Sequence, residues 1–255
     1  MLKAFDMSLK GQLFWIRLGF LLLLLAIWEW SARFWVDPMF LSPASKVISN
    51  LPTLLSKPGL WSALSVLVLE LLVAFLGSVL IGTILGLVVG LRASSRKQLL
   101  PIVLLLYGTP QITILPIIML MVGVGFGSKV TFGITHGMFP LILSICSSLQ
   151  NINPIYLKTG LSLGANKWQT FRWILLPAIL PNFFNGIRLS LVASLLGVLL
   201  AELFASSSGI GFFTRQFTES FDPTALFGLI LIVVLISVGA NALLSSLQIQ
   251  MSRKR

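Results

Sequence analysis

Charge is scarce in this chain. Of its 255 residues only 10% are charged, and 7 acids stand against 18 Lys and Arg. A soluble domain of this length needs far more polar surface, so a water-soluble globular fold is excluded. There is one cysteine, Cys146, within an apolar run. That excludes a disulfide framework and a cysteine metal site. There is one histidine, His136, which excludes a His-pair metal motif. No aspartate lies inside a long apolar run, so the aspartate pair of an intramembrane protease is missing. No G-x-x-x-x-G-K-S/T loop occurs, so ATP has no P-loop to bind. Low-complexity segments and domain linkers are also missing.

Apolar residues are abundant. They make up 56% of the chain, and the mean hydropathy is +0.99. The class is an integral membrane protein. A net charge of +11 raises nucleic-acid binding and disorder as readings. Both fail, because the cations sit in short clusters between apolar runs and form no basic stripe. The N-terminal run after Arg17 resembles a signal peptide, but bulky "EWSARFW" offers no small-x-small cleavage site. An uncleaved first span is expected.

A spanning helix needs about 20 mostly apolar residues. Six segments qualify, near 13–30, 62–91, 99–122, 130–149, 183–205 and 224–248. The third carries Pro101, Pro110 and Pro116. Such a helix is bent or broken, and belongs where neighbours satisfy the freed carbonyls. Basic clusters at Lys3/Lys10/Arg17, Arg92/Arg96/Lys97, Lys158/Lys167/Arg172 and Arg253/Lys254/Arg255 all fall on one side of this six-span scheme. The other side is mixed and holds Lys57, Lys129, Arg215 and Glu219 among others. The positive-inside rule then makes both termini cytoplasmic. "GVGF" at 123–126 and "GIGF" at 209–212 fall at external span ends and read as tight turns, not as dinucleotide fingerprints.

The largest cytoplasmic feature is residues 150–181. Asn153-Pro154 signals a helix start. Gly164 reads as a C-terminal cap, and Asn166 caps a second helix, "KWQTFRWILL". Pro177 and Pro181 are expected to end that helix and open the next span. The result is a helix–Gly–helix elbow with apolar and basic residues together. From the residues alone, an interfacial helix on anionic lipid and a docking knob for a cytosolic partner fit equally.

"LGANKWQTFRWILLPAILPNFFNGIRLSLVASLLGVLLAELFAS" resembles the cytoplasmic loop and fifth span of binding-protein-dependent ABC-transporter permeases. Gly164, Ala165, Leu176 and Pro177 match that loop's pattern. "FLSPASKVISNL", "LGLVVGLRASSRK", "VGFGSKV" and "AELFASSSGIGFF", in that order, look like the nitrate/sulfonate/taurine type. The loop's usual Glu-Ala-Ala reads Lys158-Thr159-Gly160 here, and Gly160 weakens a helix by about 1 kcal/mol against Ala.

The resemblance implies an all-α, six-span bundle of the type I importer permease kind, as one permease domain over 1–255. It implies no cofactor and no metal. The partners implied are a cytosolic ATPase dimer that hydrolyses ATP, a second permease copy and a periplasmic binding protein, besides lipid. The location implied is the bacterial inner membrane. Lys158, Gly164, Ala165, Asn166, Trp168, Phe171 and Pro177 are the expected ATPase-coupling residues. The solute implied is a sulfonate, taurine, nitrate or similar anion, or alternatively a vitamin precursor such as a pyrimidine or riboflavin.

Polar residues within spans are the candidates for the path. Thr109, Gln111 and Thr113 lie in the proline-broken span. Ser190 and Ser194, four apart on one helix face, and Glu202 lie in the fifth. Helix–helix hydrogen bonding is the competing role for all of them. Glu70 and Glu202 read as isolated intramembrane acids, Arg188 as a snorkelling cation and His136 as a packed polar residue. A secondary transporter would favour more intramembrane acids or an inverted repeat than this chain offers.

Overall fold

The computed structural model describes residues 2–205 and 209–253, all helix and connecting turn. Lys254 and Arg255 of the last basic cluster, and 206–208 of the "AELFASSSGIGFF" stretch, lie outside the described residues. The order is α1 (Leu2–Phe34), α2 (Ala44–Leu55), α3 (Leu60–Gly90), α4 (Ala93–Gly108), a 3-10 turn (Gln111–Ile114), α5 (Leu115–Val122) and α6 (Phe126–Gln150). There follow α7 (Pro154–Ser162), α8 (Lys167–Thr170), a π turn (Phe171–Leu175), α9 (Leu176–Ala205), α10 (Ile210–Glu219) and α11 (Pro223–Arg253).

Five helices are long and apolar enough to cross a membrane. The sixth expected span is the bent pair Ala93–Gly108 and Gln111–Val122, which turns by 86° at the break. Pro110 causes the break. Residue 109 before it is extended, because the proline ring disfavours helix there. Pro101 sits inside α4 and Pro116 in the first turn of α5, where no N–H is missed.

The chain forms two compact units. In the first, residues 1–60 and 213–234, α2 is pinned to α1. Glu29 accepts from the Ser45 N–H at 3.0 Å and from Ser45 Oγ at 2.8 Å, and takes Arg33 Nε at 2.6 Å. A carboxylate at the first turn of α2 also complements that helix's dipole. Trp28 Nε1 donates to the Ser42 carbonyl at 3.1 Å, and Ser42 Oγ meets Thr224 Oγ1 at 2.9 Å.

The second unit, residues 61–212 and 235–255, is built on α6. Lipid gives helices no hydrophobic reason to associate, so close packing and polar bonds must hold them. Gly82, Gly86 and Gly90 of α3 lie directly against Leu141, Ile145 and Leu149 of α6. Gly133 and Gly137 of α6 face Val198 and Ser194 of α9. Where the three helices meet, Ser78 Oγ bonds Ser194 Oγ at 3.0 Å and the Ala74 carbonyl at 2.8 Å, with no solvent exposure at either serine.

One expected boundary is corrected. Pro177 and Pro181 do not separate a helix from a span: α8, the π turn and α9 run on as one apolar stretch, Lys167–Phe204. A proline at 177 lacks an N–H and crowds the carbonyl of Trp173. Trp173 lies inside the π turn, whose wider winding takes up that misfit.

Candidate functional site

The elbow forms as its local signals dictate. The Asn153 side chain accepts from the Ile155 N–H at 3.0 Å, with Pro154 opening α7. Gly164 has φ +75°, the left-handed conformation that a Cβ disfavours. Asn166 and Gln169 then close a reciprocal capping box, with bonds of 2.8 and 2.9 Å. Gly160 is buried, and a Cβ there would lie 2.6 Å from Ile174 Cδ1. The departure from the usual alanine therefore has a use. It lets the π turn lie down on α7.

Two grooves flank the elbow. One, of about 780 Å³, is lined by Tyr156, Gly160, Leu163, Trp173 and Pro177 among others. The other, of about 580 Å³, lies between the end of α3 and α8, lined by Leu91, Arg92, Ala165, Trp168 and Phe171 among others. Trp168 stacks on Phe171 at 5.9 Å. So Ala165, Trp168 and Phe171 share one groove, Pro177 lines the other, and Gly164 and Asn166 make the turn between α7 and α8. Lys158 is exposed on α7 and lines neither.

The intramembrane candidates separate. Thr109 and Thr113 are exposed and bond locally, to the Leu105 and Pro110 carbonyls at 2.7 Å each. Ser190, Ser194 and Glu202 are fully buried. Among the described residues no hydrogen bond joins the first set to the second. Gln111 Oε1 and Ser190 Oγ are buried without a hydrogen-bond partner.

Glu70 and Glu202 are not isolated. Lys129 Nζ lies 2.9 Å from Glu70 Oε1 and 3.5 Å from Glu202 Oε1, with all three side chains buried. Lys129 is thus not an external-loop cation, because α6 begins at Phe126 and carries it inward. Removing Lys129 would leave both buried acids without a cation, a loss of about 3–5 kcal/mol. A signal for this existed in the sequence: two acids in apolar runs require a cation, and Lys129 opens the apolar run of α6. Arg188 has a partner within the bundle. Its guanidinium donates to Ser245 Oγ of α11. His136 is packed as expected, its ring 4.4 Å from that of Phe132.

The described residues thus form a multi-span helical bundle with a capped elbow between α6 and α9. Residues 78–254 match the family of binding-protein-dependent transport system inner membrane components, and the chain belongs to that family. It is an ABC-importer permease subunit and a multi-pass membrane protein. It is 26% identical over 228 residues to the taurine transport permease TauC of Escherichia coli, covering 87% of this chain and 83% of that one. It is equally 26% identical over 230 residues to the formylaminopyrimidine permease ThiX of Halalkalibacterium halodurans, covering 90% and 91%. Relatives named for aliphatic sulfonate and nitrate transport also match, so the resemblance drawn from the quoted motifs holds. Among solved structures, an inward-facing MetNI methionine ABC transporter chain matches the fold with a TM-score of 0.58 and 17% identity, over 77% of this chain and 94% of that one.

Proposed function

We propose that this permease carries a small organic anion, taurine or a related sulfonate, delivered by a periplasmic binding protein. The path runs between two copies of the chain, and two copies of a separate ATPase dock on the two elbows. Both termini are cytoplasmic on this reading. The elbow carries the proposal. Its first helix is short, its turn is held by a positive-φ glycine and a capping box, and apolar grooves open on both flanks. Lipid alone would be served by a straight amphipathic helix. A rigid knob with grooves suits a protein that must push on the bundle when ATP closes it.

The solute path is supported by the unpaired Oε1 of half-buried Gln111, which wants a partner from a second copy, water or a solute. A second reading, a pyrimidine precursor as solute, is favoured by the equal similarity to the formylaminopyrimidine permease. The test is uptake in vesicles holding the chain, its ATPase and its binding protein. Labelled taurine, an alkanesulfonate, nitrate and formylaminopyrimidine are offered in turn. ATP-dependent taurine or sulfonate uptake supports the proposal, and uptake of the pyrimidine alone replaces it.

A further inference from the structure

The second unit contains a charged cluster that neither the elbow nor the proposed path uses. Glu70 of α3, Lys129 of α6 and Glu202 of α9 meet with 1%, 3% and 0% exposure. The cluster also reaches a fourth element. Glu202 Oε2 accepts the Gly211 N–H, in the first turn of α10, at 2.8 Å. Gly209 and the first turn of α10 are shaped around that carboxylate. Gly209 has φ +94°, and a Cβ on it would lie 2.5 Å from Glu202 Oε1. A Cβ on Gly211 would run into the backbone of Glu202. The turn can close over the carboxylate only because both positions are glycine.

The two acids are not equivalent. Both oxygens of Glu202 are engaged, one by Lys129 and one by Gly211. Glu70 Oε2 is buried without a hydrogen-bond partner. One ammonium faces two carboxyl groups, so one of the two acids has no cation of its own.

We infer that Lys129 is a positioning residue which, through Glu202, latches the turn at 209–211 to α6 and α9, and that the transport cycle depends on this latch. The charge is not needed to fold the bundle. Buried ion triads replaced by apolar residues of similar size often leave stability unchanged or raised. What only the charges supply is a charge-assisted bond to a backbone N–H at the head of α10. The inference rests on the permease reading for its functional arm, but its structural arm does not.

The test compares variants of the full chain, assembled with its ATPase in lipid nanodiscs. The apolar triple variant Glu70→Leu/Lys129→Met/Glu202→Leu inserts and unfolds no earlier than the natural chain. Hydrogen exchange at the amides of 209–212 rises about tenfold or more, the size expected for losing a bond to a charged group. Stimulation of ATP hydrolysis by taurine-loaded binding protein falls by a similar factor. Glu70→Gln alone leaves the Glu202 bond to the Gly211 N–H in place, and both readouts stay within about twofold, well under one such bond. Should the triple variant fail to insert, Glu202→Leu serves in its place, since it removes the acceptor for the Gly211 N–H while Lys129 and Glu70 remain a pair. A folded triple variant, or Glu202→Leu, with unchanged exchange at 209–212 overturns the inference, as does full stimulation with the latch removed. If taurine-loaded binding protein fails to stimulate even the natural chain, the solute reading falls, and exchange alone judges the latch.

Discussion

Two glycines four residues apart in the elbow do different work. Gly164 has open space around the position of a Cβ, and its need for glycine is purely its positive φ. Gly164→Leu meets no clash, so insertion should be normal. Forcing a side chain into the left-handed region costs about 1–2 kcal/mol, which the turn can relieve by opening. Transport and ATPase pull-down should both fall, and normal values for both would disprove elbow docking. Gly160 is the converse. Alanine there gains about 1 kcal/mol of helix propensity. Its Cβ meets Ile174 Cδ1, and overpacking costs about 1–3 kcal/mol. Gly160→Ala should therefore lower the unfolding temperature in detergent. Adding Ile174→Val, which deletes the offending methyl, should restore it. A single variant more stable than the natural chain would show that Ile174 moves aside freely.

At the scale of the element, the broken segment sets the topology. An 86° bend between α4 and α5 fits either one bent span or a re-entrant loop. The positive-inside reading requires a span, because Arg92, Arg96 and Lys97 must face the cytoplasm while Gly123–Gly125 faces out. Reporter fusions after Lys57, Lys97, Gly125, Arg172 and Arg215 should alternate outside, inside, outside, inside, outside. Lys97 and Gly125 reporting the same side would make the pair re-entrant and reverse everything downstream. The α6 helix tolerates no such ambiguity. Its buried Lys129 end and its glycine-lined contacts with α3 and α9 leave it no free face for a second register.

For the whole assembly, the candidate path residues divide by burial. Single cysteines at 111, 190 and 194, in a background lacking Cys146, should react unequally with a water-soluble thiol reagent. Position 111 is half-buried beside the break and should react, with a rate that changes under ATP cycling. Positions 190 and 194 are sealed within one copy and should be slow in every nucleotide state. Fast labelling at 194 would mean that the Ser78–Ser194 seam opens during transport, and that the path lies between α3 and α9. Uniform inertness at 111 would move the path away from the break.

Local chemistry made much of this protein legible from its residues. Apolar length marked the spans, because a bilayer accepts nothing else. The elbow was legible because caps and positive-φ glycines act within four or five residues of themselves. Proline at 110 announced its break for the same reason. What the residues could not reveal is what depends on distant partners. Pro177 looked like a helix end, since the π turn that absorbs it packs onto Gly160. Glu70, Lys129 and Glu202 are 59 and 73 residues apart in sequence. Glu70 and Glu202 looked like isolated acids inside spans, and Lys129 like a cation of the external side. Only the meeting of α3, α6 and α9 turned three costly charges into one cluster, because in a membrane interior a charge's meaning is set by what lies opposite it.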